Sequence, residues 1–173
     1  MNFTIRRAGL EDAPALSLIG QATFLESYYM DVGRDDMIAH LKATCSERYF
    51  EAHLQNPLVA IWLAEFEPAL APIGFAAVCA PELSIETKAT DLQLLHIYAL
   101  SSFYGAQVGP ALLETAIAFA RAQKAERLVL GVWPENHRAL AFYRRNDFET
   151  LGSCPCQVGA RVYEDLVLAK TLG

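Results

Sequence analysis

Residues 128–148 read LVLGVWPENHRALAFYRRNDF: an apolar stretch, a proline-containing turn and an amphipathic stretch in close succession. Leu128 to Val132 is aliphatic and β-branched, which predicts a buried strand. Pro134 closes it, and Asn136 offers a side-chain oxygen to cap a following helix. On that helix Ala139, Phe142 and Tyr143 are spaced by three and four and share a face. A tyrosine carried inward this way has two readings: a core aromatic with a satisfied hydroxyl, or a positioned proton donor. The stretch alone leaves both open.

Working outward, Leu92 to Leu100 predicts another strand. The glycine-containing loop Ser101 to Gly109 feeds a helix with Leu112, Leu113, Ala116, Ile117 and Ala120 facing inward. Leu58 to Phe66 and Ile73 to Cys79 read as an antiparallel hairpin, and Pro81 to Thr90 as a polar, exposed loop. Phe3 to Arg6 alternates as a first strand. A helix then runs from Leu10, with Pro14 in its first turn, to about Tyr29. Gly33 breaks it before a second helix from Arg34, and a further helical piece covers Glu47 to Leu54. Glu149 to Gly152 and Val162 to Leu168 are the last strands. The main order β-α-α-β-β-β-α-β-α-β-β predicts an α+β (mixed α/β) domain rather than a doubly wound parallel one.

With 173 residues, 53% hydrophobic and no linker-like tract, residues 1–173 are expected to form one domain. A net charge of -6, from 14 basic and 20 acidic residues, argues against a nucleic-acid partner. The stretch MNFTIRRAGLEDA lacks the apolar centre of a secretory signal, and no apolar run approaches the ~20 residues that span a bilayer. A cytoplasmic protein without a membrane partner is therefore expected, and Cys45, Cys79, Cys154 and Cys156 fit reduced thiols. Cys154-Pro155-Cys156 lacks the spacing of redox or zinc motifs, so no metal is expected.

The loop Tyr104 to Gly109 hands a strand to a helix, a place where free backbone N–H groups and the positive helix end suit a phosphate. Gly105 and Gly109 let the backbone approach an anion. The loop is neither a P-loop nor a dinucleotide fingerprint. This turn, the strand some twenty residues later, and N-x-x-A-x-x-F-Y-x-x-x-x-F together resemble the GNAT family of acyl-CoA N-acyltransferases. The resemblance runs from Thr4-Ile5-Arg6-Arg7-Ala8 to Leu166-Val167-Leu168-Ala169-Lys170. Leu130 to Asn136 and the late Gly152…Gly159…Asp165 pattern are most similar to the PaiA-type branch, associated with acetylation of polyamines and other small amines.

The resemblance implies a central, mostly antiparallel mixed sheet with helices on both faces. It also implies acetyl-CoA as cofactor, and direct transfer of its acetyl group to the primary amine of a small molecule in a ternary complex. Ile97, Tyr98, Ala99 and Leu100 match the strand that pairs with the pantetheine arm. Tyr104, Gly105, Ala106, Gln107, Val108 and Gly109 match the phosphate loop. Asn136 matches a contact to the cofactor arm, and Tyr143 the catalytic tyrosine beside the thioester sulfur. Phe24, Glu26, Tyr28, Tyr29 and His96 are candidates for the acceptor side. The aromatics among them equally suit a core or a homodimer surface.

Two departures stand out. Tyr104 replaces the usual Arg or Gln, removing a charge-assisted contact of ~1–3 kcal/mol. Gln107 replaces the central Gly, and a position that needs φ > 0 does not accept a side chain freely. Weakened cofactor binding is expected, and a CoA-binding sensor without turnover is the competing reading. The proton acceptor stays open between His96, a water chain and an acidic residue such as Glu26.

Overall fold

Residues 60–66 and 71–79 are apolar in nearly every position, a pattern that needs a covering layer on both faces of a sheet. The computed structural model describes residues 2–173. In chain order it contains β1 (Phe3–Arg7), α1 (Ala13–Tyr28), α2 (Arg34–Thr44), α3 (Glu47–Gln55), β2 (Ala60–Phe66), β3 (Ala71–Cys79) and β4 (Asp91–Ala99). These are followed by α4 (Val108–Ala122), β5 (Arg127–Val132), α5 (His137–Arg145), β6 (Glu149–Val158) and β7 (Arg161–Thr171). The seven strands form one sheet in the order β1-β2-β3-β4-β5-β7-β6, antiparallel except between β4 and β5. This is the mixed, mostly antiparallel sheet expected.

Strand alternation sends Ala60, Trp62, Ala64, Ala76 and Val78 to one face, where Val108, Leu112, Leu113, Ala116 and Ala120 of α4 meet them. Ile61, Leu63, Phe75 and Ala77 take the other face, against Leu16 and Ile19 of α1 and Phe50 of α3. A smaller apolar cluster joins Phe24, Tyr28 and Met37 of the first two helices to Val158 and Tyr163 of the last hairpin. No helix among the described residues is long and apolar enough to cross a membrane.

Two expectations are corrected. The last strands extend over 149–158 and 161–171, so Cys154-Pro155-Cys156 lies inside a strand. β6 lies at the edge of the sheet, where the missing N–H of Pro155 is tolerated. The stretch Pro81 to Thr90 is not simply exposed: Leu83 packs over Gly131 and Ile85 over Gly152, both half-buried.

The parallel pair sets up the site. β4 and β5 are paired only at Asp91–Gln93 with Arg127–Val129. Beyond that β4 carries an irregularity at Leu95, where Ala77 faces His96 and Val78 faces Leu94. An extra residue of this kind bends and twists its strand, here away from β5. The closed end is held by Arg127, whose guanidinium donates to both oxygens of the buried Asp91 at 2.9 and 2.6 Å.

Candidate active site

Where β4 and β5 part, a cleft of about 610 Å³ opens. Its strand wall includes Ile97, Tyr98 and Ala99, on an edge that β5 leaves without ladder partners. Tyr104, Gly105, Gln107, Val108 and Gly109 line it at the start of α4. The N–H groups of a helix's first turn have no intrahelical acceptor, and Pro110 brings none of its own. Val108 and Gly109 therefore offer free donors at the positive helix end.

Gly105 and Gln107 both have left-handed backbones, with φ of +85 and +67. The glutamine thus adopts the conformation a glycine would supply while still lining the cleft. Across the loop, the guanidinium carbon of Arg138 on α5 lies 3.7 Å from the centre of the Tyr104 ring. Arg138 and Arg145 both line the cleft. A phosphate-bearing ligand finds backbone donors and guanidinium charge together here.

Asn136 caps α5, its Oδ1 accepting the Ala139 N–H at 3.0 Å. That cap turns Tyr143 inward, where its ring meets those of Phe142 and Phe148 while still lining the cleft. Tyr28 and Tyr98 stand beside it. Tyr28 has polar contacts with the side chains of Asn136 and Tyr98, and Tyr28 and Tyr143 lie within electrostatic reach of each other. Burial pushes all three phenol pKa values up, so each hydroxyl is neutral and a donor at pH 7.

The acceptor-side candidates divide. Phe24 and Tyr28 line the cleft. Glu26 does not; one of its oxygens accepts the backbone N–H of Ser101 at 2.9 Å, tying α1 to the end of β4. Tyr29 is 67% exposed and outside the cleft. His96 reaches the cleft wall, but its Nε2 shares a 2.9 Å hydrogen bond with the Tyr49 hydroxyl, and desolvation pushes its pKa down to about 3. Such an imidazole is a poor proton acceptor. Leu100 and Ala106 also lie off the cleft; their N–H groups bond to Ile73 and Phe103 carbonyls.

The sequence reading assigned no site role to Arg138, Tyr163 or Cys156, and named Asp165 only within the PaiA-type pattern; all four line the cleft. Arg138 shares the first turn of α5 with Asn136, a signal that was present. The other three come from the β6–β7 hairpin, whose fold-back over the site has no local signature.

A sheet split at a parallel pair, with a helix N-terminus and guanidinium groups at the split, offers a site for a long phosphate-bearing ligand. Comparison with known proteins makes this specific: residues 23–148 match the acetyltransferase (GNAT) family, and the chain belongs to it. An uncharacterized N-acetyltransferase of Mycobacterium tuberculosis is 26% identical over 163 residues, covering 94% of this chain and 99% of its own. Among solved structures, the PaiA N-acetyltransferase of Thermoplasma acidophilum, in complex with coenzyme A, superposes with a TM-score of 0.80 at 18% identity over 99% of both chains. A GNAT-family acetyltransferase of Staphylococcus aureus gives 0.75 at 15%, over 99% of this chain and 100% of that one. The protein is thus an N-acetyltransferase, and acetyl-CoA is its acetyl donor.

Proposed function

We propose that this enzyme acetylates a primary amine of a small, polyamine-like molecule by direct transfer within a ternary complex, as in the PaiA-type branch. The observation that supports this most is the presence in one cleft of the α4 N-terminus, the unpaired edge of β4 and the inward-facing Tyr143. Holding donor and acceptor side by side supplies much of the rate advantage without a covalent enzyme intermediate.

The residues divide the work. Val108 and Gly109 N–H groups, with Arg138, hold the phosphates; the free edge of β4 holds the pantetheine amides. The amine nitrogen, as its free base, forms a bond to the acetyl carbon while the carbon–sulfur bond breaks. Tyr143 donates its proton to the departing sulfur, a thiolate whose own pKa is about 8.5. Its oxygen then takes the surplus proton from the newly acylated nitrogen, so no net proton is lost or gained. Because burial raises the Tyr143 pKa, the phenol works through its hydrogen bond as charge develops on sulfur and is not ionised beforehand.

The non-catalytic sensor reading rested on Gln107 and Tyr104. Gln107 holds the left-handed turn, and Tyr104 brings a guanidinium back to the loop, so neither favours it. The test is thiol release from acetyl-CoA across polyamines, amino acids and aromatic amines. Tyr143→Phe is expected to lower kcat by ~10²-fold or more and to leave the CoA Kd within about twofold. Undiminished turnover in this variant removes Tyr143 from the chemistry. CoA binding without thiol release for any amine returns the sensor.

A further inference from the structure

The acceptor must lose a proton before it reacts. An alkyl amine has a pKa of ~10 and reaches the cleft as an ammonium, whereas only the free base attacks. Neither His96 nor Glu26 supplies the base, since Tyr49 and the Ser101 N–H engage them. Two other carboxylates line the cleft, Asp31 and Asp165. Asp31 is exposed in the turn after α1, while Asp165 on β7 is half-buried.

The setting of Asp165 leaves its charge unmatched. It has no cationic partner among the described residues. The hydrogen bond it accepts comes from the Cys156 thiol, a weak donor. Gly131 of β5 faces it, and both residues line the cleft. A Cβ on that glycine would stand 3.7 Å from the Asp165 Oδ2, so its absence leaves the oxygen less covered. The titratable groups facing Asp165 are Cys154 and Cys156 of β6, its neighbour Glu164, and Tyr28 of α1. None is a cation. Burial, with the Glu164 charge adding to it, holds the Asp165 pKa above the ordinary carboxylate value and makes it a stronger base.

His40 is the other basic group lining the cleft, and burial separates the two. A proton passed from ammonium to carboxylate turns two charges into two neutral groups, which a desolvated site favours. Passed to His40, it only moves positive charge onto a ring whose pKa burial has already lowered. Tyr28 lies within electrostatic reach of Asp165 and of Tyr143, so the carboxylate and the acid stand near the same tyrosine.

We propose that Asp165 is the general base of the reaction: its carboxylate takes one proton from the acceptor ammonium, and the free amine then attacks the acetyl carbon. This rests on amine acetylation as the reaction of the cleft. The N–H bond breaks with its electron pair left on nitrogen, and that pair forms the bond to carbon. The carboxylic acid returns its proton to water, so each turnover releases one proton. Tyr143 serves the departing sulfur, and acid and base are separate residues.

Thiol release at saturating acetyl-CoA tests this, followed from pH 6 to 10 with putrescine or whichever amine of the screen above reacts fastest. Asp165→Asn should lower kcat ~10²-fold at pH 7, the usual weight of general-base catalysis, with Tm undiminished and the CoA Kd within about twofold. That deficit should narrow as pH rises toward the amine's own pKa of ~10, because solvent then supplies the free base. Asp31→Asn should keep kcat within about twofold. A role in folding alone would lower kcat by the same factor at every pH, and mere attraction for the ammonium would raise KM and leave kcat. Either result, an unchanged kcat in Asp165→Asn, or an equal loss in Asp31→Asn overturns the assignment, while wild-type turnover keeps the reaction standing. A wild type that releases no thiol with any amine overturns the reaction, and the base falls with it.

Discussion

At Gln107 a side chain occupies the left-handed region, where an L-residue is disfavoured by ~1–2 kcal/mol. Sequence comparison with the family pattern marks this position and Tyr104 as departures and predicts a weaker loop. The structure shows how both are accommodated, through a strained backbone at Gln107 and an Arg138–Tyr104 stack. That stack joins residues 34 apart in the chain, on two elements whose approach depends on the whole sheet, so no local pattern announced it. A guanidinium held flat on a ring keeps its edge donors for an anion. Arg138→Ala is therefore expected to weaken CoA about 3–10-fold, a charged hydrogen bond discounted for its exposed setting. S-acetylpantetheine, which lacks the phosphates, should bind as before. Calorimetry with both ligands decides: equal loss for the two would place Arg138 in folding of the loop, and no loss would free it of any ligand role.

The β6–β7 hairpin is the element that the sequence disclosed least. Its first strand looked short because glycine and proline are poor strand formers, yet a paired neighbour overrides that weakness. The same non-local logic decided Glu26 and His96. Each is the right type for an acceptor site, but a Ser101 N–H 75 residues away and a Tyr49 hydroxyl 47 residues away claim them. What fixes the hairpin is its tip. Gly159 has φ +62, and a Cβ there would come within 2.5 Å of the Asp36 backbone on α2. Asp36 also accepts the Ala160 N–H at 2.7 Å and faces Arg161 at 3.4 Å. Gly159→Ala is thus expected to cost ~2–4 kcal/mol, from the left-handed strain and the backbone collision. The hairpin should lift from α2, raising the amine KM several-fold while the CoA Kd holds. Denaturant unfolding and steady-state kinetics measure both. A variant as stable as the wild type would mean that the tip adapts, and an equal loss of CoA affinity would mean that the two ends of the cleft are not independent.

Across the whole molecule, the layers were legible and the cleft was not. The continuous apolar runs along residues 60–66 and 71–79, and the three-four spacing of Leu112, Leu113 and Ala116, dictate a sheet covered on both faces. The cleft arises from how far β4 and β5 pair, a long-range matter settled at three residue positions and closed by Asp91 and Arg127. Burial alone would raise the Asp91 pKa; its hydrogen bonds from Arg127 and the Lys88 N–H outweigh this and hold it below the ordinary carboxylate range. Asp12 is held down likewise, chiefly by Arg6. A carboxyl whose folded pKa is depressed adds stability that is complete above its unfolded pKa, about 3.9. That stability is lost as pH falls through the lower folded value. The enzyme should therefore keep its stability from neutrality to about pH 5 and lose it steeply below about pH 4. Asp91→Asn leaves Arg127, only 17% exposed, without its counter-ion. It should cost ~3–5 kcal/mol at pH 7 and flatten the acid limb, since one of the carboxyls that must be protonated on unfolding is gone. Urea melts at a series of pH values give both quantities. A variant equally unstable at pH 7 but with an undiminished acid limb would show that Asp91 anchors the closed end by shape alone, and that other carboxylates govern acid unfolding.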